Sequence, residues 1–371
     1  MITDIADKIN TGERLTYEDG LRLFRHANVS ELGMLADHVR WEKHPDPLVT
    51  YNIGRNINYT NVCWVRCKFC SFYRPPGHQE GYTLPDEEIF QKIENMIAVG
   101  GDAPDSCEIL MQGGLNPHLK IEYYEHLFSE ITSRYPAVYI HSLSVAEIVY
   151  IAHISKIPVE ETLIRLRTAG LQSLPGAGAE ILDDEVREEI AYRKESTEEW
   201  LDVHRTAHRI GMNSTATMMF GSTETIEHRM KHLIKVRDVQ DQAHEGNGGH
   251  FTAFIAWNFQ PDKTDLGADS GRWNGRKATG YDYLRTIAVS RIFLDNIPSI
   301  QASWVTQGAK IAQVSLRYGV NDFGSTMMEE NVVSAAGTSH TNEMTLPEMQ
   351  RLIRDAGYEP VRRNTRYELL N

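Results

Sequence analysis

Eight short β-forming runs, separated by amphipathic helical stretches, restrict the fold of this sequence more than any other feature. They fall at 56–61, 108–112, 138–142, 172–174, 214–220, 252–259, 300–304 and 318–322. Strands separated by helices cannot pair as tight hairpins; each crossover returns the chain parallel to the strand before it. Eight such units are the number that closes a (β/α)8 barrel. The sequence therefore predicts an α/β protein with a TIM-type barrel over residues 52–340. A helical extension over 1–51 is expected outside the barrel, capping its base, and a C-terminal helix and short tail over 341–371. Helix starts are marked by capping-box spacing at Thr83/Asp86, Ser144/Glu147, Ser196/Glu199 and Thr345/Glu348, with Pro85 and Pro347 in first turns.

Composition narrows the function classes. Fifty-one acids against 38 bases leave a net charge of −13, which argues against a nucleic-acid partner, since phosphate binding needs a basic patch. No apolar run approaches the roughly 20 residues of a membrane span. The opening MITDIADKINTGERLTYEDG carries early acids rather than a basic-then-apolar leader. A soluble, cytoplasmic protein without a membrane partner is expected. Hydrophobic residues make up 41% of the chain, enough to bury a large core.

Only four cysteines are present, and three lie within eight positions, in NVCWVRCKFCSFYR. That is too few for a disulfide scaffold of this length. Cys63, Cys67 and Cys70 have C-x3-C-x2-C spacing and follow the first strand, at the barrel end where chemistry gathers. Three thiolates from one loop can hold three corners of a four-iron cluster and leave the fourth iron open to a ligand. Structural zinc and a four-ligand electron carrier stay open as readings, although both want a fourth protein ligand. His78 is eight residues past Cys70, and Cys107 is 37 past it. Cys107 itself reads as a buried thiol at the head of a strand.

Other polar groups fall at predicted strand ends. Gln112-Gly113-Gly114 ends the second strand, where bare glycines allow close backbone approach. His141 and Ser142 end the third. LPGAGAEIL follows the fourth, and its Glu180 could accept hydrogen bonds from hydroxyls or simply sit at a helix N-terminus. His141 could touch substrate or move a proton, or be a satisfied core histidine. Glu147 reads as the capping-box partner of Ser144, and Glu185, Arg187, Glu188 and Glu189 as a solvated helix face. His204, His208 and His232 lack an HExxH context for metal. Met218-Met219-Phe220 reads as core or pocket lining.

The cysteine loop, with Phe69 before its last cysteine, resembles that of radical S-adenosylmethionine (SAM) enzymes. With ILMQGGLNP, GLQSLPGAGAEIL, MMFG, FIAWNFQP, SWVTQG and ENVVSAAG, the chain from about 51 to 337 resembles the menaquinone-pathway (futalosine) family of radical SAM enzymes. Within the family, NINYTNVC, SWVTQG and GSTMMEENVVSAAG resemble its dehypoxanthine futalosine cyclase branch. The aminofutalosine synthase and deazaflavin FO synthase branches carry similar final motifs.

The resemblance implies a [4Fe-4S] cluster on the three cysteines, with SAM as co-substrate bound by Phe69, Gln112, Gly113, Gly114, Ser142 and Glu180. Gln112 and Leu115 depart from the family's Gly-Gly-Glu-type element, so backbone contacts are expected to dominate there. The implied chemistry removes hydrogen from C4′ of the ribose of dehypoxanthine futalosine. The carbon radical then adds to the carboxyphenyl ring, which loses a proton and an electron, the electron going back to the cluster. Substrate contacts are expected from Arg55, Tyr59, His78, Trp257, Thr306, Gln307, Asn321 and Asp322, with His141 as the base and flavodoxin or ferredoxin as electron donor.

Overall fold

The computed structural model describes residues 2–246, 248–338 and 343–370. The expected boundary at 340/341 lies outside the described residues.

Among the described residues ten strands form, and every pairing between them is parallel. They are β1 (Leu48–Asn52), β2 (Gly54–Ile57), β3 (Cys107–Met111), β4 (Val138–Ile140), β5 (Ser173–Leu174), β6 (Asn213–Phe220), β7 (Phe251–Asn258), β8 (Ser299–Gln301), β9 (Asp322–Ser325) and β10 (Glu359–Arg362). Seven are ordered β10-β1-β9-β8-β7-β6-β5, and β2-β3-β4 form a second sheet. The parallel bridge His141↔Ser173 joins β4 to β5. At the other junction, β1 and β2 are one stave interrupted at Ile53: its lower part pairs with β9, its upper part with β3. The result is the eight-stave curl that the alternating pattern predicts.

The first stave begins at Leu48, earlier than the run at 56–61, and Asn58–Asn61 belong to the loop above it. The eighth begins at Asp322, where the run at 318–322 ended. Asn321 and Asp322 therefore stand at the entry of a stave, on the floor of the barrel, not at its mouth. The cause is a buried ion pair. Arg363, just past β10, donates through Nη2 to Asp322 Oδ1 (2.9 Å), and Thr50 Oγ1 donates to Asp322 Oδ2 (2.6 Å). The stretch read as a tail thus contributes a strand: β10 lies beside β1, and its Arg362 guanidinium donates to the carbonyls of Gly100 and Ser106.

Helices surround the staves. Ser144 and Ser196 close capping boxes with Glu147 and Glu199, and Thr345 accepts from the Glu348 amide. Thr83 does not cap: Pro85 is the N-cap of Asp86–Gly100, and Thr83 Oγ1 bonds Thr60 and Asn116 instead. The N-terminal helices Thr3–Asn10, Tyr17–His26 and Val29–Lys43 include two that dock on the outer helices Ile226–His244 and Gly280–Phe293. They reach the loop below β8 through Arg14–Asp295 (3.1 Å) and His44 Nε2···Pro298 O (2.9 Å). No helix among the described residues is long and apolar enough to cross a membrane.

Candidate active site at the barrel mouth

The cysteine loop leaves the first stave and is stitched back to its neighbours. Cys63 N donates to Arg74 O (2.8 Å), Arg74 N to Asn61 O (2.7 Å), and Asn61 Nδ2 to Glu80 O (3.0 Å). Its far side is tied down by Lys68 N on Ile190 O (2.9 Å) and Leu266 N on Lys68 O (2.8 Å). Arg66 takes a left-handed conformation (φ 61°) between the first two cysteines. Cys63, Cys67 and Cys70 line one cavity of about 180 Å³, with Gly113, Gly114, Glu147, Glu180 and Lys194.

The donor set fits a cluster with one open corner. Among the described residues this cavity holds no fourth cysteine and no histidine. His78 lies outside it and accepts from the Glu80 amide (3.1 Å), while Cys107 is buried at the foot of β3. Burial pushes the Cys67 and Cys70 thiols up, so three thiolates together here need a cationic group such as iron to hold them.

Gly113 and Gly114 are demanded by packing. A side chain on Gly114 would meet Val62 O at 2.3 Å, within the backbone of the cysteine loop. One on Gly113 would meet the Tyr59 ring at 2.8 Å. The Gly113 amide donates to Glu147 Oε1 (2.9 Å), which also accepts from the buried Tyr59 hydroxyl (2.6 Å). Glu147 thus caps its helix, as its spacing predicts, and also fixes the turn beside the cysteines.

Glu180 sits between two cavities, with φ 39° and Lys194 Nζ 3.0 Å from both carboxylate oxygens. Arg187 is not on a solvated face: it is 5% exposed, bonds the carbonyls of Gly178 and Ala179, and pairs with buried Glu195 (2.8 Å). The two cations brace the segment 178–180 from below. Lys194 also stands 5.9 Å from the centroid of Phe69, which lines both cavities.

The second cavity, about 330 Å³, fills the barrel beneath the first and shares Phe69, Gln112, Gly178 and Glu180 with it. Its apolar wall includes Ile255, Trp257 and Trp304; Thr306 is also on its lining. His141 is buried there with Nδ1 2.6 Å from Ser173 Oγ, and burial pushes its pKa down, keeping the ring neutral.

Of the expected site residues, the structure gathers the three cysteines, Phe69, Gln112, Gly113, Gly114, Glu180, His141, Trp257 and Thr306 around the two cavities. It leaves the others elsewhere. Ser142 lies between staves, its Oγ accepting from Met111 N (3.1 Å). Arg55 is paired with Glu329 (2.9 Å), and Tyr59 is a buried brace. Gln307 donates to Asn258, and Asn321 accepts from Arg291 and Ile300 N. Asp322 belongs to the floor pair with Arg363. His204 and His208 share Ser214 Oγ (3.0 and 2.7 Å), and His232 accepts from Leu182 N (3.0 Å), so all three are committed to packing.

Asn52, Asn56, Glu108, Lys194, Arg363 and Tyr367 also line the cavities and were missed. Stepping back by twos from Gln112 gives Leu110 and Glu108 on the same face, a signal that was available for Glu108. Lys194, in a helix connection, and Arg363 and Tyr367, beyond the last helix, gave none.

A (β/α)8 barrel with a three-cysteine loop at its mouth and a cavity beneath is the layout of a radical SAM enzyme. Residues 57–236 match the family described as the Radical SAM superfamily, and residues 248–371 match the CofH/MqnC C-terminal region. The chain is similar to cyclic dehypoxanthine futalosine synthase of Halalkalibacterium halodurans, with 47% identity over 100% of this chain and 95% of that protein. It is 37% identical to aminodeoxyfutalosine synthase of Streptomyces coelicolor, over 99% and 93% of the two chains. Methylornithine synthase (PylB) shares the fold, with a TM-score of 0.73 and 18% identity over 96% and 97% of the two chains. The chain belongs to the radical SAM family of the cyclic dehypoxanthine futalosine synthases. It is an enzyme that uses a [4Fe-4S] cluster and SAM.

Proposed function

We propose that this enzyme converts dehypoxanthine futalosine to cyclic dehypoxanthine futalosine, a step of menaquinone biosynthesis. The observation that carries the reading is full-length identity of 47% to a synthase of that name, against 37% to an aminodeoxyfutalosine synthase.

Cluster and SAM, when bound, supply a primary carbon radical able to take hydrogen from an unactivated C–H bond. Cys63, Cys67 and Cys70 hold the cluster in this reading. Phe69, Gln112, the Gly113-Gly114 backbone and Glu180 position SAM, with Lys194 fixing the Glu180 carboxylate. The 330 Å³ cavity takes the substrate directly beneath. There the ribose C4′ loses its hydrogen, and the carbon bonds to the carboxyphenyl ring lying against Trp257 and Ile255. The ring would then give up one proton and one electron, and the oxidised cluster held by the three cysteines would supply the acceptor for that electron. His141, kept neutral by burial and held through Nδ1 by Ser173, accepts that proton. Enclosure keeps water and stray hydrogen donors away, and positioning does most of the catalytic work. Reduced flavodoxin or ferredoxin in the cytoplasm is proposed as the electron donor.

The test is anaerobic turnover of reconstituted protein with dithionite, SAM and dehypoxanthine futalosine, followed by mass spectrometry. A product two hydrogens lighter than substrate, formed with 5′-deoxyadenosine, is expected. Deoxyadenosine without that product would overturn the assignment. Cys67→Ala is expected to lose both cluster iron and turnover, and Cys107→Ala to keep both.

A further inference from the structure

On the wall of the larger cavity opposite Trp257, three side chains offer hydrogen-bond acceptors that the protein leaves unused. Asn52 and Asn56 lie four residues apart along the first stave and are 3% and 4% exposed. Neither amide oxygen meets a donor among the described residues. Glu108, on the adjoining β3, lines the same cavity, and its carboxylate has no hydrogen-bond or ion-pair partner among the described residues. The nearby Arg363 does not satisfy it, because that guanidinium is committed to Asp322 and to Asn364 O (3.0 Å) and stacks 3.8 Å from the Tyr367 centroid.

Buried acceptors without donors are costly, so the Asn52 and Asn56 oxygens are places where ligand hydrogens belong, and the half-buried Glu108 carboxylate adds a third acceptor beside them. A carboxylate can only accept. Each asparagine adds an amide oxygen, the atom it leaves without a donor among the described residues. A ligand completing this wall must therefore bring several hydroxyl hydrogens within a few ångströms of one another, and it must not bring an anion. The opposite wall, with Ile255 and Trp257 on β7, suits a flat ring.

We propose that Asn52, Asn56 and Glu108 form the subsite for the hydroxylated sugar ring of the substrate. The ligand class is a neutral polyol carrying vicinal hydroxyls, and the carboxyphenyl end is held on the far wall, repelled from this one by Glu108. The inference rests on the proposed cyclase reading, because it assigns one end of that substrate to one wall. Net hydroxyl donation, rather than charge pairing, then sets which end of the substrate meets this wall.

The test is calorimetric binding to unreduced, cluster-loaded enzyme, with dehypoxanthine futalosine and its analogue lacking one ring hydroxyl as the two probes. Wild type is expected to bind the analogue about tenfold more weakly, the worth of one ordinary hydrogen bond. In Asn56→Leu and Glu108→Leu the ratio between the two probes is expected to fall toward one, with SAM affinity unmoved. Asn56→Asp, which keeps an acceptor oxygen, is expected to retain discrimination, and circular dichroism with iron content checks that each variant is folded. Equal binding of both probes by wild type, or undiminished discrimination in folded Asn56→Leu and Glu108→Leu, overturns the polyol subsite alone. Failure of wild type to bind either probe overturns the cyclase reading and this inference with it.

Discussion

The Tyr59 hydroxyl donates to Glu147 Oε1 at 2.6 Å, and the same oxygen accepts the Gly113 amide at 2.9 Å. One buried carboxylate therefore joins the foot of the cysteine loop, the glycine turn after β3 and the start of the helix Val145–Ser155. Burial pushes the Glu147 pKa up, and hydrogen bonds from Ser144, Tyr59 and Gly113 oppose that shift. Tyr59→Phe removes one donor from a buried carboxylate, so a stability loss of about 1.5–3 kcal/mol is expected. With Gly113 loosened, SAM binding is expected to weaken several-fold while cluster iron stays constant. Urea denaturation and a SAM titration check this. A stability loss with unchanged SAM affinity would confine Glu147 to helix capping.

Arg363 and Asp322 form the floor of the barrel, both buried, with the guanidinium supplied from beyond β10. Removing one member of a buried pair leaves an uncompensated charge, so Arg363→Met is expected to cost about 3–5 kcal/mol. The double variant Arg363→Met/Asp322→Asn removes both charges and is expected to recover part of that loss. Chemical denaturation of the four proteins in the cycle measures it. Additive losses would mean that the pair is not coupled.

Acid should destabilise the fold well above the carboxylate range. His208 and His232 are buried, and burial pushes each down to about 3. Folded protein keeps them neutral, whereas the unfolded chain protonates them below about 6.5. Nothing is lost above that value. As pH falls through 6.5 toward 3, the unfolded state binds the extra protons, and each histidine costs up to about 1.4 kcal/mol per pH unit. The urea midpoint is expected to fall between pH 7 and pH 5, and less steeply in His208→Gln. A flat midpoint over that range would contradict the assignment.

Much of this protein was legible from local pattern. The alternation of β and helical runs gave the barrel, because period and crossover order are properties of neighbouring residues. Cysteine spacing gave the loop that brings three thiols into one cavity for the same reason: three cysteines on one short segment need no knowledge of distant contacts. The glycine pair, Glu180, His141 and Trp257, which line the cavities, were read from their positions near strand ends, and Phe69 from the resemblance of its loop. Arg55, Tyr59, Asn321 and Asp322 carried the same polar signature, yet the fold commits them to partners. Those partners are Glu329, Glu147, Arg291 and Arg363, which lie 274, 88, 30 and 41 residues away along the chain.

By itself, the sequence determined a radical SAM barrel and the three cysteines at its mouth. Only the tertiary structure decided which polar side chains remain free for a ligand. Whether a buried group is satisfied depends on the partner that folding brings to it, and that partner comes from far along the chain. Asn52, Asn56 and Glu108 are open to the cavity because no such partner arrives among the described residues, and Lys194 reaches Glu180 because a helix connection delivers it.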